Sequence, residues 1–222
     1  MLREILSALT GKDALGEMFG QIGKMLEAGK WMFGQASEVL MRTGDWESIS
    51  DALYKRDREI NQIEQSLREK ILAHLATGNT ADLAACLVIM SIVKDAERIG
   101  DYCKNLFEVG KFYSREYSHA QYAQPLEDIR QAVEPLFEKT QKAFVEADRA
   151  LARNIIESAG RIRNTCDLLI QQLLSTSGQN LAPDEAVAYV LLARFYKRVA
   201  AHLGNIASGV VSPLPLLDYM DE

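Results

Sequence analysis

Apolar residues recur with a helical period along almost the whole chain, and the pattern runs through twice. Six segments carry it, near residues 13–42, 45–76, 80–115, 122–146, 148–175 and 183–211. None shows the alternation of a strand held between turns. The breaks are "TGKD" (10–13), "RTGD" (42–45), "ATGNTAD" (76–82), "SHAQYAQP" (118–125), "EAD" (146–148), "STSGQNLAPDE" (175–185) and "SPLP" (212–215). Asp13, Asp45, Asp148 and Asp184 stand where a side-chain oxygen would cap the next helix. Helices of this length joined by short links must run antiparallel to the next in sequence. Aligned at Asp45 and Asp148, the middle helices pair Leu53 with Ile156, Asn61 with Asn164, Glu64 with Asp167 and Ile71 with Leu174. Aligned about 100 residues apart, the third helices pair Val93 with Ala193, Ile99 with Val199, Asn105 with Asn205 and Leu106 with Ile206. A period of about 100 residues is too long for a solenoid unit and predicts a duplicated three-helix bundle. The expected fold is all-α: two tandem three-helix repeats over 1–117 and 122–215, then a tail, 216–222.

Composition narrows the function classes. Apolar residues make up 48% of the 222, and the net charge is −6, so a folded chain without a concentrated basic face is expected. Nucleic acid is thereby excluded as an expected partner, while cations or a basic protein surface suit the acidic balance. Cys86, Cys103 and Cys166 occur singly on apolar stretches and read as buried thiols. "LAACLVIMSIV" (83–93) is about half the ~20 residues a membrane span requires, and no secretory signal opens the chain, so a cytoplasmic protein is expected. No Gly-rich phosphate loop or GxSxG elbow occurs, so neither nucleotide binding nor triad hydrolysis is expected.

The first helix repeats "MFGQ" at 18–21 and 32–35 and holds glycines at 16, 20, 23, 29 and 34. Each costs a helix about 1 kcal/mol against alanine. Close packing on a glycine face would offset that cost; the other reading makes Trp31, Phe33 and the methionines a docking surface. The tyrosine-rich "FYSREYSHAQY" (112–122) reads as a solvent-facing helix end and loop, and Leu216, Leu217, Tyr219 and Met220 in the tail as packing back on the bundle.

The third helix carries the chemistry. At roughly 100° per residue, Ile89, Ile92, Val93, Ala96, Ile99, Cys103 and Leu106 share one arc, with Glu97, Asp101, Asn105 and Glu108 on another face. On the second helix Asp57, Asn61 and Glu64 form a row beside the apolar stripe of Leu53, Ile60, Ile63, Leu67 and Ile71. If both rows converge where these helices meet solvent, several carboxylates crowd together, and a hard cation would relieve their repulsion. The plainer reading is a solvated charged face in which Lys94 and Arg98 pair locally with Glu97.

"VKDAERIGDYCKNL" (93–106), preceded by "DALYKRDREINQIEQSLREKI" (51–71), resembles the PhoU family of phosphate-uptake regulators. Glu97, Arg98, Ile99, Gly100, Asp101 and Asn105 match the family's third-helix pattern, and Asp57, Asn61 and Glu64 its second-helix pattern. The resemblance covers nearly the whole chain. It implies a non-enzymatic, homodimeric regulator of phosphate uptake or phosphate-starvation signalling that contacts a phosphate transporter or sensor kinase. It also implies a metal ion (iron, zinc, manganese or magnesium) on Glu97, Asp101, Asp57, Glu64 and Asn105. Lys197, Ala201 and Gly160 replace Glu97, Asp101 and Asp57 in the second repeat, so no metal is expected there. The alternatives are a metal-free helical adaptor and a carboxylate-bridged metal enzyme. The enzyme needs Glu-x-x-His on two facing helices, and only Glu116 to His119 has that spacing.

Overall fold

The computed structural model describes residues 14–78, 80–175, 181–212 and 217. These form six α-helices and no strand: α1 Ala14–Leu40, α2 Trp46–Ala76, α3 Leu83–Phe112, α4 Ala120–Glu146, α5 Arg149–Ser175 and α6 Pro183–Val211, with a 3-10 turn at Thr80–Asp82. Two of the expected caps start their helices. Asp45 Oδ1 accepts from the Glu47 amide at 3.1 Å, and Asp148 Oδ1 from the Ala150 and Leu151 amides at 3.0 Å each. Asp184 does not cap. Pro183 takes the first helical position and Ala182 the cap, leaving Asp184 inside the first turn, where a carboxylate still complements the helix dipole. Asp13 lies outside the described residues.

The two trios share one continuous core. In α1 and α3, Gly29 approaches Ile99 and Leu40 approaches Gly110, a common stagger that makes these helices parallel. Between the halves the register reverses: Tyr102 of α3 meets Phe195 and His202 of α6, while Gly209 of α6 abuts Ile92 and Val88. Phe19 with Phe144 and Phe33 with Phe137 join α1 to α4 in the same antiparallel sense. The outer helices α2 and α5 each bury one narrow stripe, Leu53, Ile60, Leu67 and Ile71 on α2, and Ala152, Ile155, Ala159, Ile162, Cys166 and Leu169 on α5. Each fully buried aliphatic side chain contributes about 1.5–3 kcal/mol, enough to hold an outer helix while leaving its other faces to solvent.

Three local expectations change. Phe33, Met18, Met25 and Met32 are core residues and offer no docking surface; Trp31 is half-buried beneath the Arg56 guanidinium, 5.1 Å from its ring. A glycine-packed face explains only part of α1. A methyl group at Gly29 would press on Ile99 at 3.1 Å, but Gly16, Gly20 and Gly34 face open space. Gly20→Ala and Gly34→Ala are therefore each expected to raise stability by about 0.5–1 kcal/mol in urea melts; a loss would show that the glycines serve an unseen contact. Nor is the tyrosine segment simply a solvated loop. Tyr113 stacks on Tyr117, and Tyr117 and Tyr122 both pack on the buried Tyr189 of α6. Glu185 causes this by drawing the linker inward. It accepts from the Ser118 amide at 2.6 Å and from Tyr189 Oη at 2.7 Å, with His119 Nδ1 3.2 Å away. At the tail Leu217 is buried as expected; Leu216, Tyr219 and Met220 lie outside the described residues.

Candidate functional site

Rows of charge on α2 and α3 meet along the groove between these helices, as the helical spacing predicts. Asp57 stands at its inner edge, buried, beside the stripe made by Leu53 and Ile60. Glu97 is buried too, while Glu64 and Asp101 are partly covered. The helices approach closely at Gly100 of α3: a methyl group there would lie 2.9 Å from Ile60 Cδ1, so the tip of that side chain would have to move aside.

Cations fill the spaces between these carboxylates. Lys104 Nζ donates to Asp57 Oδ2 at 2.9 Å and to Asp101 Oδ1 at 3.1 Å, spanning the two helices. Further back along α3, Lys94 Nζ lies 2.8 Å from Glu97 Oε2, outside hydrogen-bond geometry, and 3.7 Å from Glu64 Oε1. Arg68 closes on Glu64 at 2.9 Å, and Arg98 on Asp101 at 3.2 Å. Four carboxylates thus face four cations. Partial burial works against charge on Lys104, but its hydrogen bonds and attraction to Asp57 and Asp101 prevail and raise its pKa.

Asn61 lies half-covered between Asp57 and Glu64, as placed by the spacing. Asn105 instead lines, with Glu108, Phe112, Val187, Leu191 and Phe195, an apolar groove of about 560 Å³ between the end of α3 and the start of α6. Among the described residues no three His, Cys, Asp or Glu side chains come together as a group able to hold a metal ion. As folded, the donor set matches ammonium and guanidinium groups and does not fit a metal. His119, from the one Glu-x-x-His spacing, is turned to Glu185 at the linker.

In the second repeat an ion pair stands at the changed positions. Lys197 Nζ, at the position of Glu97, lies 2.5 and 2.6 Å from the two oxygens of Asp167, the counterpart of Glu64. The thiols are inert on structural grounds: all three are free and buried, and burial pushes Cys166 up to about 12.

A second polar cluster was not anticipated. Asp95, on the same rise as Glu97, turns to the opposite side of α3 and is buried against α6. Its Oδ1 accepts from His202 Nδ1 at 2.7 Å and from Asn205 Nδ2 at 2.8 Å, and the His202 ring stacks on Tyr102 at 5.6 Å. The sequence signal was present in the pairing of Asn105 with Asn205, but not the direction in which either points.

The model of the PhoU domain matches this chain twice, over residues 22–109 and again over 126–210. The chain belongs to the PhoU family. Among curated relatives, the phosphate-specific transport system accessory protein PhoU homolog 1 of Thermotoga maritima is 26% identical over 174 residues, covering 74% of this chain and 72% of the relative. The PhoU homolog of Xylella fastidiosa is 25% identical over 203 residues, 90% of this chain and 82% of the relative. In three dimensions the fold is similar to PhoU from Pseudomonas aeruginosa, with a TM-score of 0.79 at 20% identity over 89% of this chain and 95% of the other. PhoU from Streptococcus pneumoniae gives 0.72 at 19% identity over 89% and 93%. Both PhoU units pair their outer and third helices as described above. Among the described residues no helix is long and apolar enough to cross a membrane.

Proposed function

We propose that this PhoU-family chain regulates phosphate uptake or phosphate-starvation signalling by protein contact with a phosphate transporter or its sensor kinase, without turning over a substrate. The observation that carries this reading is the double match of the PhoU domain, one on each half of a single body. It is supported by curated relatives described as accessory proteins of the phosphate-specific transport system. Deleting the gene should raise phosphate uptake and switch on the phosphate-starvation response in phosphate-replete cells, and the wild-type chain should restore both. Unchanged uptake and response in the deletion strain would defeat the regulator reading. A second reading, a metal-free helical adaptor, is favoured by the internally neutralised α2/α3 face. The two differ in whether the deletion affects phosphate handling. A carboxylate-bridged metal enzyme gains nothing from the geometry, since its histidine is held at the linker. A homodimer remains the assembly proposed for the regulator.

A further inference from the structure

We infer that the α2/α3 edge of this chain is a metal-free ionic lock, in which the ammonium groups of Lys104 and Lys94 occupy the seats a cation would take between the carboxylates. Lys104 sits between Asp57 on one helix and Asp101 on the other, at 2.9 and 3.1 Å, as a small bridging cation would. Lys94, nearly three turns away along α3, lies as an ion pair between Glu97 and Glu64, at 2.8 and 3.7 Å. With Arg68 and Arg98 the face is already neutral, so an added divalent ion would bring uncompensated positive charge and meet ammonium groups at its own ligands.

The two repeats supply an independent argument. On the alignment above, Asp57, Asp101 and Lys104 correspond to Gly160, Ala201 and Gly204. The lysine is missing in the same repeat as both of its carboxylate partners. Carboxylates that served an external ion would give Lys104 no reason to be absent with them; a three-membered ionic unit does. What the second repeat keeps is again a lysine bridge between its outer and third helices, from Lys197 to Asp167. Each half therefore ties these helices with an ammonium group, by a double bridge in the first and a single one in the second. The lock opens to displaced lysines and is indifferent to chelators.

Protein purified without chelator should carry less than about a tenth of an equivalent of iron, zinc or manganese, and its melting temperature should not move with EDTA. In calorimetric titrations with Mn²⁺ or Zn²⁺, wild type should give no saturable heat. The Lys94→Met, Lys104→Met double variant, with its carboxylates freed, should bind up to about two equivalents, one at each vacated seat, and adding Glu97→Gln and Asp101→Asn should abolish it. Stoichiometric metal in wild type that Glu97→Gln and Asp101→Asn remove would overturn the inference. So would a folded double variant that binds no ion, because the seats would then not be cation seats. If the double variant fails to fold, the Lys104→Met single variant and the wild-type metal content still decide. No phosphate-uptake measurement enters, so failure here leaves the regulator reading intact.

Discussion

Asp95→Ala is expected to destabilise the fold by about 3 kcal/mol, roughly a 10 °C fall in melting temperature for a chain of this size. Asp95 is 6% exposed and its Oδ1 takes two hydrogen bonds from the other half of the molecule, through His202 and Asn205. Truncation leaves the buried His202 and the half-buried Asn205 without their acceptor. Apart from its stacking on Tyr102, the His202 ring is held by its bond to Asp95, since its Nε2 is buried with no hydrogen-bond partner among the described residues. Asp95→Asn should cost less, since an amide oxygen still accepts from one donor. As the control, Lys55→Ala breaks only an exposed contact at 3.9 Å to Glu59 and should change stability by less than about 0.5 kcal/mol. Chemical denaturation of the three variants checks this. A cost below about 1 kcal/mol for Asp95→Ala would mean that the cluster is incidental to the joining of the halves.

Glu185→Ala should cost about 2–4 kcal/mol and loosen the linker between the repeats. The carboxylate gathers the Ser118 amide and hydroxyl, the Tyr189 hydroxyl and the His119 ring, so its loss frees the segment that seats Tyr117 and Tyr122. Proteolysis near residue 118 should accelerate in step. The acid side follows from the same contacts. Burial raises the Glu185 pKa, but hydrogen bonds from Tyr189, Ser118 and His119 outweigh it and hold the value below the usual 4.5. A carboxyl group depressed in the folded state gives stability that is present in full above 4.5 and lost as pH falls through the depressed value. The gap between wild type and Glu185→Gln should therefore be constant at neutral pH and shrink below about 4.5. A gap that stays constant down to pH 3 would show that Glu185 contributes no charge-dependent stability.

The helices were legible because their signals are local. Asp45 and Asp148 cap where the sequence places them, and the stripe of Leu53, Ile60, Leu67 and Ile71 is the buried one. Asp184 misled only because Pro183 begins its helix one residue earlier. The convergence of Asp57 with Asp101 was also legible, since helical spacing and an antiparallel link decide it. Lys104 was not. A four-carbon stem can reach solvent, its own helix or the next one, and helical spacing does not say that it takes Asp57. Asp95 failed for another reason: its burial is set by packing between the repeats, which periodicity within one helix does not encode. The glycines of α1 show the limit from the other side, being alike in sequence and different in surroundings.

The stacking of Tyr102 on His202 has a meaning beyond local packing, for the two occupy the same position in successive repeats. A residue that touches its own counterpart lies on the pseudo-dyad. An unfused ancestral trio meeting itself in this way would have formed an isologous dimer, each subunit presenting one self-complementary face. Fusion removed the need for both sides to match. In the fused chain one side holds Asp95 against Asn205, while its mirror location sets Phe195 beside Asn105 and is greasy and open.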